Sequence, residues 1–193
     1  MDFVQQTVVL IKPDGVKRGL VGEIISRFER VGLKIVAMKM LWITPGHAKE
    51  HYPVTRKSWI ESIGKRALET YQEYGRDPEE DLDSLEPFEI GKKMAGWLVD
   101  FLTEGPLVAI LLEGENAINT ARKMTGHTFG DKALPGTIRG DFTKERGYMG
   151  FVEKRSGRNL IHASGNVEEA LFERKLWFKE KEIYKYKRVG EDL

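Results

Sequence analysis

Apolar and polar positions alternate along this chain in two periods, that of a strand and that of a helix. Thr7-Val8-Val9-Leu10-Ile11 is an unbroken β-branched and apolar run, which predicts a strand covered on both faces. It ends at Lys12-Pro13-Asp14-Gly15, where Pro sets φ, Asp can bond its own backbone and Gly accepts positive φ. Leu20, Ile24, Ile25 and Phe28 then recur at helical spacing, and Gly32 closes that helix. Leu33–Trp42 alternates as a second strand. Thr44-Pro45 opens a short helix towards Tyr52, with Thr as N-cap and Pro in the first position.

Beyond Pro53, Trp59, Ile63, Ala67 and Tyr71 are four apart and predict an amphipathic helix closed by Gly75. Asp77–Glu86 is acidic and predicts a solvated loop. Pro87 opens another helix, with Met94, Trp97, Leu98, Phe101 and Leu102 on its apolar side and Gly105-Pro106 at its end. Leu107–Glu113 is a third strand, and Glu115–Thr125 a helix with Ala117, Ile118, Ala121 and Met124 inward. Lys132–Asp141 is irregular, and Lys144–Arg158 is mixed in charge with Tyr148 and Phe151 between glycines. Asn159–His162 is a short strand, and Asn166-x-x-Glu169 is a capping box for a last helix, Val167–Phe178. Strands and helices interleave throughout, so the fold class is α/β or α+β.

Composition narrows the function classes. The chain has 193 residues, 40% of them hydrophobic, which suits one domain without covalent staples. No cysteine is present, which removes disulfides, thiolate metal sites and thiol nucleophiles. Thirty-one basic residues face thirty acidic ones, for a net charge of +1, so an anion site has to be local. The longest apolar runs are strand-length, and the start of the chain, with Asp2, lacks the basic flank and apolar stretch of a signal peptide. The expectation is a soluble cytoplasmic protein without a membrane partner.

Neither Gly-rich phosphate loop occurs: Gly-x-x-x-x-Gly-Lys-Ser/Thr is missing, and no Gly-x-Gly-x-x-Gly follows the first strand. His47-Ala-Lys-Glu50-His51 matches the His-x-x-Glu-His pattern of inverted zinc peptidases, and it equally describes a short helix with two ordinary histidines. A broader constellation is spread over the chain. Lys12 ends the first strand, Arg122 lies on a helix, Arg139 in the Gly-rich segment, and His162 ends the last strand before a helix. Strand ends beside helix starts gather ligands in such folds, and two arginines with a lysine make a cationic cradle. From these residues alone the chain is an anion-binding domain with a candidate catalytic histidine.

Lys12-Pro13-Asp14-Gly15-Val16, Arg18-Gly19, Pro135-Gly136-Thr137-Ile138-Arg139-Gly140-Asp141-Phe142 and Asn159-Leu160-Ile161-His162-Ala163-Ser164 closely resemble the nucleoside diphosphate kinase family. The likeness covers residues 1–52, 94–142 and 159–178, with its motifs in the family's order. It implies a ferredoxin-like βαββαβ domain over 1–193, with a four-stranded antiparallel sheet, helices on one face, and a homo-oligomeric state, hexamer or tetramer. It also implies ping-pong transfer of the γ-phosphate of a nucleoside triphosphate such as ATP or GTP, through a phosphohistidine, to a nucleoside diphosphate such as ADP or GDP. By position His162 is the nucleophile, Glu173 fixes its tautomer and Ser164 supports Glu173. Lys12 and Tyr52 hold the transferred phosphate, and Arg122, Thr128 and Arg139 the others. Asn159, with Lys12, meets the ribose, and Met94 and Leu98 face the base. Mg²⁺ is carried by nucleotide phosphates and water, with no ligand from the protein.

Three features depart from the family pattern. Ala163-Ser164-Gly165 stands where the family has Gly-Ser-Asp, Met94 where it stacks a Phe on the base, and Ser156 where an apolar residue covers the other base face. Two segments exceed the family core: 54–93, predicted helical, and 143–158, predicted as a loop or hairpin. Both border the base pocket, so Phe88, Trp59, Tyr148 or Phe151 can supply the aromatic platform there, or both segments are surface decoration. The alternative function is a nucleotide-binding regulatory or scaffold protein on the same fold with weak or no kinase activity. A nucleic-acid module is disfavoured by the balanced charge and by the lack of an aromatic RNA-binding signature.

Overall fold

The computed structural model describes residues 4–189; Asp2 lies outside them. Four strands form one antiparallel sheet in the order β2-β3-β1-β4: β1 (Val4–Ile11), β2 (Lys34–Leu41), β3 (Leu107–Glu115) and β4 (Ile161–Ala163). The helices are α1 (Pro13–Lys17), α2 (Val21–Arg30), α3 (Pro45–His51), α4 (Lys57–Glu73), α5 (Pro87–Thr103), α6 (Ala117–Thr125), α7 (Ile138–Phe142), α8 (Met149–Val152) and α9 (Val167–Trp177). Strand order and α+β class agree with the expected ferredoxin-like sheet.

The continuous apolar run of β1 explains the layering. Val9 and Ile11, with Ile110 and Leu112 of β3, pack against Ile24 and Phe28 of α2 and Ala117 and Ala121 of α6. Val8 and Leu10, with Ala109 and Leu111, pack against Ala48 of α3, Val99 and Leu102 of α5, and Trp177 of α9. Helices therefore cover both faces of the sheet. This corrects the expectation of helices on one face: successive strand residues point to opposite sides, and here both sets are apolar and require cover.

Register places the key histidine. Leu10 pairs with His162 across β1 and β4, so His162 shares the Leu10 face with α3, α5 and α9. The predicted strand at Asn159–His162 begins later, at Ile161. Leu160 adopts φ 66, and the Ile161 N–H donates to the Asn159 carbonyl at 2.7 Å, a three-residue turn that rules out extended backbone there. Thr44 caps α3 by accepting the His47 N–H, as the sequence predicts. Of the predicted capping box on α9 only the Asn166 half forms, accepting the Glu169 N–H, while the Glu169 carboxylate turns to the Gly165 N–H.

Residues 143–158 form a loop with one helical turn, α8, and no hairpin. Phe151 of α8 joins Ala67 and Tyr71 of α4 and Ile90 of α5 in a third apolar cluster. α4 and α5 meet backbone to backbone. A Cβ on Gly64 would lie 1.8 Å from the Pro87 carbonyl oxygen, and one on Gly91 2.0 Å from that of Ile60.

Candidate active site

His162 Nε2 lies 2.7 Å from Glu173 Oε1. The other Glu173 oxygen accepts the Ser164 hydroxyl at 2.7 Å. Glu173 is 4% exposed and Ser164 wholly buried, so each committed oxygen is shielded from water. Ser164 is itself fixed on β1, where its backbone N–H donates to the Val8 carbonyl and its Oγ accepts the Val8 N–H. A proton held on Nε2 by the carboxylate leaves Nδ1 as the lone-pair nitrogen. Sequence reading predicted all three residues together.

The turn that delivers His162 is bound to the turn after β1. Lys12 N–H donates to Leu160 O at 2.8 Å, and Asp14 Oδ2 accepts Leu160 N–H at 3.0 Å. Gly15 is required beside it, since a Cβ there would lie 2.9 Å from Ile11 Cγ2 and 3.1 Å from Leu160 O. A buried leucine at positive φ is strained backbone of the kind that collects at functional sites.

Cations line the same region. Lys12 Nζ donates to Asn159 Oδ1 at 2.8 Å and lies 5.4 Å from the Phe101 ring centroid. Burial, with the Arg139 charge beside it, lowers the Lys12 pKa to about 7, while Asp14 pulls it upward. Arg139 is also buried, and its pKa falls to about 10 through burial and the charge of Arg122. Its guanidinium donates to the carbonyls of Asn159, Gly126 and Ile161, three of its five N–H groups. Arg122 and Thr128 are exposed, and the Thr128 carbonyl accepts the Asn159 amide at 3.4 Å. Tyr52 is half-buried; burial and the nearby Glu173 raise its phenol pKa, so the O–H is retained as a donor.

His51 and Trp177 complete the histidine's surroundings, and sequence reading assigned neither there. The His51 ring stands edge to face with His162, centroids 4.6 Å apart. His47 and His51 do share one face of α3, but that face packs on the Trp177 indole, and Glu50 of the same motif is exposed. One ligand atom each of His51, His162 and Glu173 lie within 4.8 Å of one another. Two of the three are joined by a hydrogen bond, His162 to Glu173 at 2.7 Å, while His51 Nδ1 is taken by the Trp177 indole N–H and lies 3.8 Å from Glu173. Adjacency of His51 to Tyr52 was the signal available in the sequence.

The predicted base-facing residues are less gathered. Met94 packs against the third apolar cluster, and Leu98 is half-buried one turn further along α5. Phe151 is held between Tyr71 and Trp97, Tyr148 by Tyr74 and Arg76, and Phe88 between Lys57 and Lys92. Trp59 stacks on Tyr52 at 6.2 Å, and Phe151 belongs to the cluster against which Met94 and Tyr148 pack. At Gly165, Glu169 Oε2 accepts the backbone N–H at 2.7 Å and occupies the space a Cβ would enter.

The sequence model of nucleoside diphosphate kinase matches residues 5–61 and 80–183. The chain belongs to the nucleoside diphosphate kinase family. A nucleoside diphosphate kinase of Pyrobaculum aerophilum is 43% identical over 180 residues, 93% of this chain and 98% of that protein. One from Archaeoglobus fulgidus is 39% identical over 189 residues, 98% and 96% of the two chains. Among solved structures, an NDP kinase from Pyrobaculum aerophilum superposes with a TM-score of 0.89 at 41% identity, covering 94% of this chain and all of that one. A transition-state mimic of the Borrelia burgdorferi nucleoside-diphosphate kinase, with bound vanadate and ADP, superposes at 0.78 with 36% identity, covering 99% and 96%. The stretch the family model passes over, 62–79, falls within α4 and the acidic segment after it.

Proposed function

We propose that His162 is the nucleophile through which this enzyme of the nucleoside diphosphate kinase family passes the γ-phosphate of a nucleoside triphosphate to a nucleoside diphosphate. The carrying observation is the Ser164–Glu173–His162 relay, which holds the imidazole proton on Nε2 and turns Nδ1 into the lone pair. In the first half-reaction Nδ1 bonds to the γ-phosphorus while the bond to the bridging oxygen breaks, and the diphosphate leaves. In the second, a terminal oxygen of an incoming diphosphate attacks the phosphohistidine and Nδ1 leaves with its electron pair. One site serves both halves, so the kinetics are ping-pong.

Charge spread over the phosphoryl oxygens in the transition state calls for fixed cations and donors. Lys12 and the Tyr52 hydroxyl meet the transferred group, and Arg122, Thr128 and the remaining Arg139 N–H groups meet the other phosphates. Asn159, oriented by Lys12, meets the ribose, and Met94 and Leu98 face the base. Of the carboxylates beside His162, Glu173 is committed to His162 and Ser164 and Asp14 Oδ2 to Leu160, while Asp14 Oδ1 is buried inside the protein without a partner. That donor set fits an Mg²⁺ ion held by the nucleotide's own phosphates and water, which would neutralise phosphate charge. The vanadate and ADP in the Borrelia burgdorferi relative support this reading of the reaction.

The described residues contain no helix long and apolar enough to cross a membrane, which accords with a cytoplasmic enzyme. We read 1–193 as one catalytic unit carrying two insertions, 54–93 and 143–158, packed on each other through Tyr71 and Phe151. It would work as a hexamer or tetramer. The test is incubation with γ-labelled ATP followed by a chase with unlabelled diphosphate. Acid-labile label on His162 that leaves in the chase supports the proposal, and wild-type protein that takes up no label sinks it.

A further inference from the structure

His51 is buried and beside the reacting histidine, yet no role above uses it. Its Nδ1 accepts the Trp177 indole N–H at 3.3 Å and lies 3.8 Å from Glu173 Oε1. An indole nitrogen only donates, so the single proton of neutral His51 sits on Nε2, and Nε2 is buried without a hydrogen-bond partner. Glu173 Oε1 thus sees an acceptor on its His51 side and a donor only on its His162 side. We propose that His51 is a positioning residue of the phosphoryl-transfer site: locked in one tautomer by Trp177, it seats the His162 ring and leaves Glu173 Oε1 to His162 alone.

The groups facing His51 agree. Burial lowers its pKa well below 6.5, as do the nearby charges of His162 on β4, Lys12 after β1 and His47 on α3. A protonated His51, or its other tautomer, would carry an N–H at Nδ1 and compete for Glu173. His162 would then lose the acceptor that fixes its proton, and Nδ1 would cease to be the lone pair in part of the molecules. An orphaned buried N–H is a group whose retention asks for a functional reason, and the forced tautomer supplies one.

The inference rests on the proposed role of His162, and the test separates the two. Trp177→Phe removes the donor that sets the tautomer while keeping a ring in the core. We expect phosphorylation of His162 to slow on the order of 10- to 100-fold with nucleotide KM unchanged. The ¹⁵N spectrum of His162 should shift from the Nε2–H form towards a mixture. Adding His51→Phe to that variant removes the competing N–H, so the His162 spectrum and much of the rate should return. His51→Ala alone should open the ring seat and slow the reaction at constant KM, and His51→Phe alone should restore it; this pair decides if Trp177→Phe does not fold. An unchanged His162 spectrum in Trp177→Phe, or no recovery on adding His51→Phe, overturns the proposal. In the second pair, equal rates for His51→Ala and wild type overturn it. Loss of labelling in wild type would instead overturn the role of His162 itself.

Discussion

The Asp14 carboxylate accepts the Leu160 amide at 3.0 Å and so ties the turn after β1 to the strained turn that presents His162. Asp14→Ala leaves that buried N–H without a partner, a cost of about 1–3 kcal/mol in unfolding free energy. Asp14→Asn keeps a carbonyl acceptor and should hold most of the stability. It also removes the negative charge that raises the Lys12 pKa, so Lys12 should lose its proton at lower pH. Activity at pH 8 relative to pH 6 should therefore fall in Asp14→Asn. Identical pH profiles for variant and wild type would show that the two charges are not coupled.

The proposed phosphate-binding role of Lys12 predicts that nucleotide binding is linked to protons. With its pKa lowered to about 7, Lys12 in the free enzyme is charged below that pH and largely neutral above it. A bound phosphate favours the charged form and raises the pKa again. Binding at pH 8 should therefore take up close to one proton, and binding at pH 6 almost none. Calorimetry in buffers of different ionisation enthalpy reads this directly. Lys12→Met should abolish the uptake, and a wild-type heat that does not depend on buffer at pH 8 would contradict it.

The parts of this site legible in sequence are those carried by short contiguous motifs. Lys12, Asn159, His162 and Ser164 sit in such runs, and Glu173 follows from helical register after His162. The sheet was legible for the same reason, since β1 and β3 are continuous apolar runs. What was not legible depends on side chains brought together from distant elements. His51 read as half of a zinc motif because its neighbours His47 and Glu50 are local, whereas its partners Trp177 and Glu173 lie more than a hundred residues away. Leu160 gave no signal because positive φ in a leucine is imposed by tertiary contacts, here Asp14 and Lys12. The base platform stayed open because Phe151 and Tyr148 are ordinary aromatics until their packing on α4 is seen.

The relay predicts a ranking among its members. Ser164→Ala removes the one hydroxyl that holds Glu173 Oε2 and should slow His162 phosphorylation by about tenfold, the scale expected for support of a positioned carboxylate. Glu173→Gln should be worse, on the order of 10²–10⁴-fold. A glutamine amide can donate to Nε2 and drive the proton to Nδ1, which removes the nucleophilic lone pair. Nucleotide KM should change little in either variant, because neither group touches the phosphates. Single-turnover phosphorylation measures both rates, and a Glu173→Gln variant faster than Ser164→Ala would refute the tautomer argument.

The contact of α4 with α5 bears on the site through Trp59. Gly64 and Gly91 allow the two backbones to touch, and any Cβ at either position would meet a carbonyl oxygen at 2.0 Å or less. Carbonyls in helices cannot retreat as a flexible side chain can, so the helices must separate. Gly64→Ala and Gly91→Ala should each cost about 1–3 kcal/mol or more of stability, although alanine favours helix in isolation. Separation would also shift Trp59, which stacks on Tyr52 from the first turn of α4. The phenol would lose that lateral support, so residual folded protein should phosphorylate His162 more slowly. Denaturant midpoints measure the first effect and single-turnover rates the second. Gly96, also on α5, has open space where its Cβ would go, so Gly96→Ala is the matched control. It should leave both quantities unchanged or raise stability by a few tenths of a kcal/mol; equal destabilisation by all three substitutions would remove the close-contact explanation.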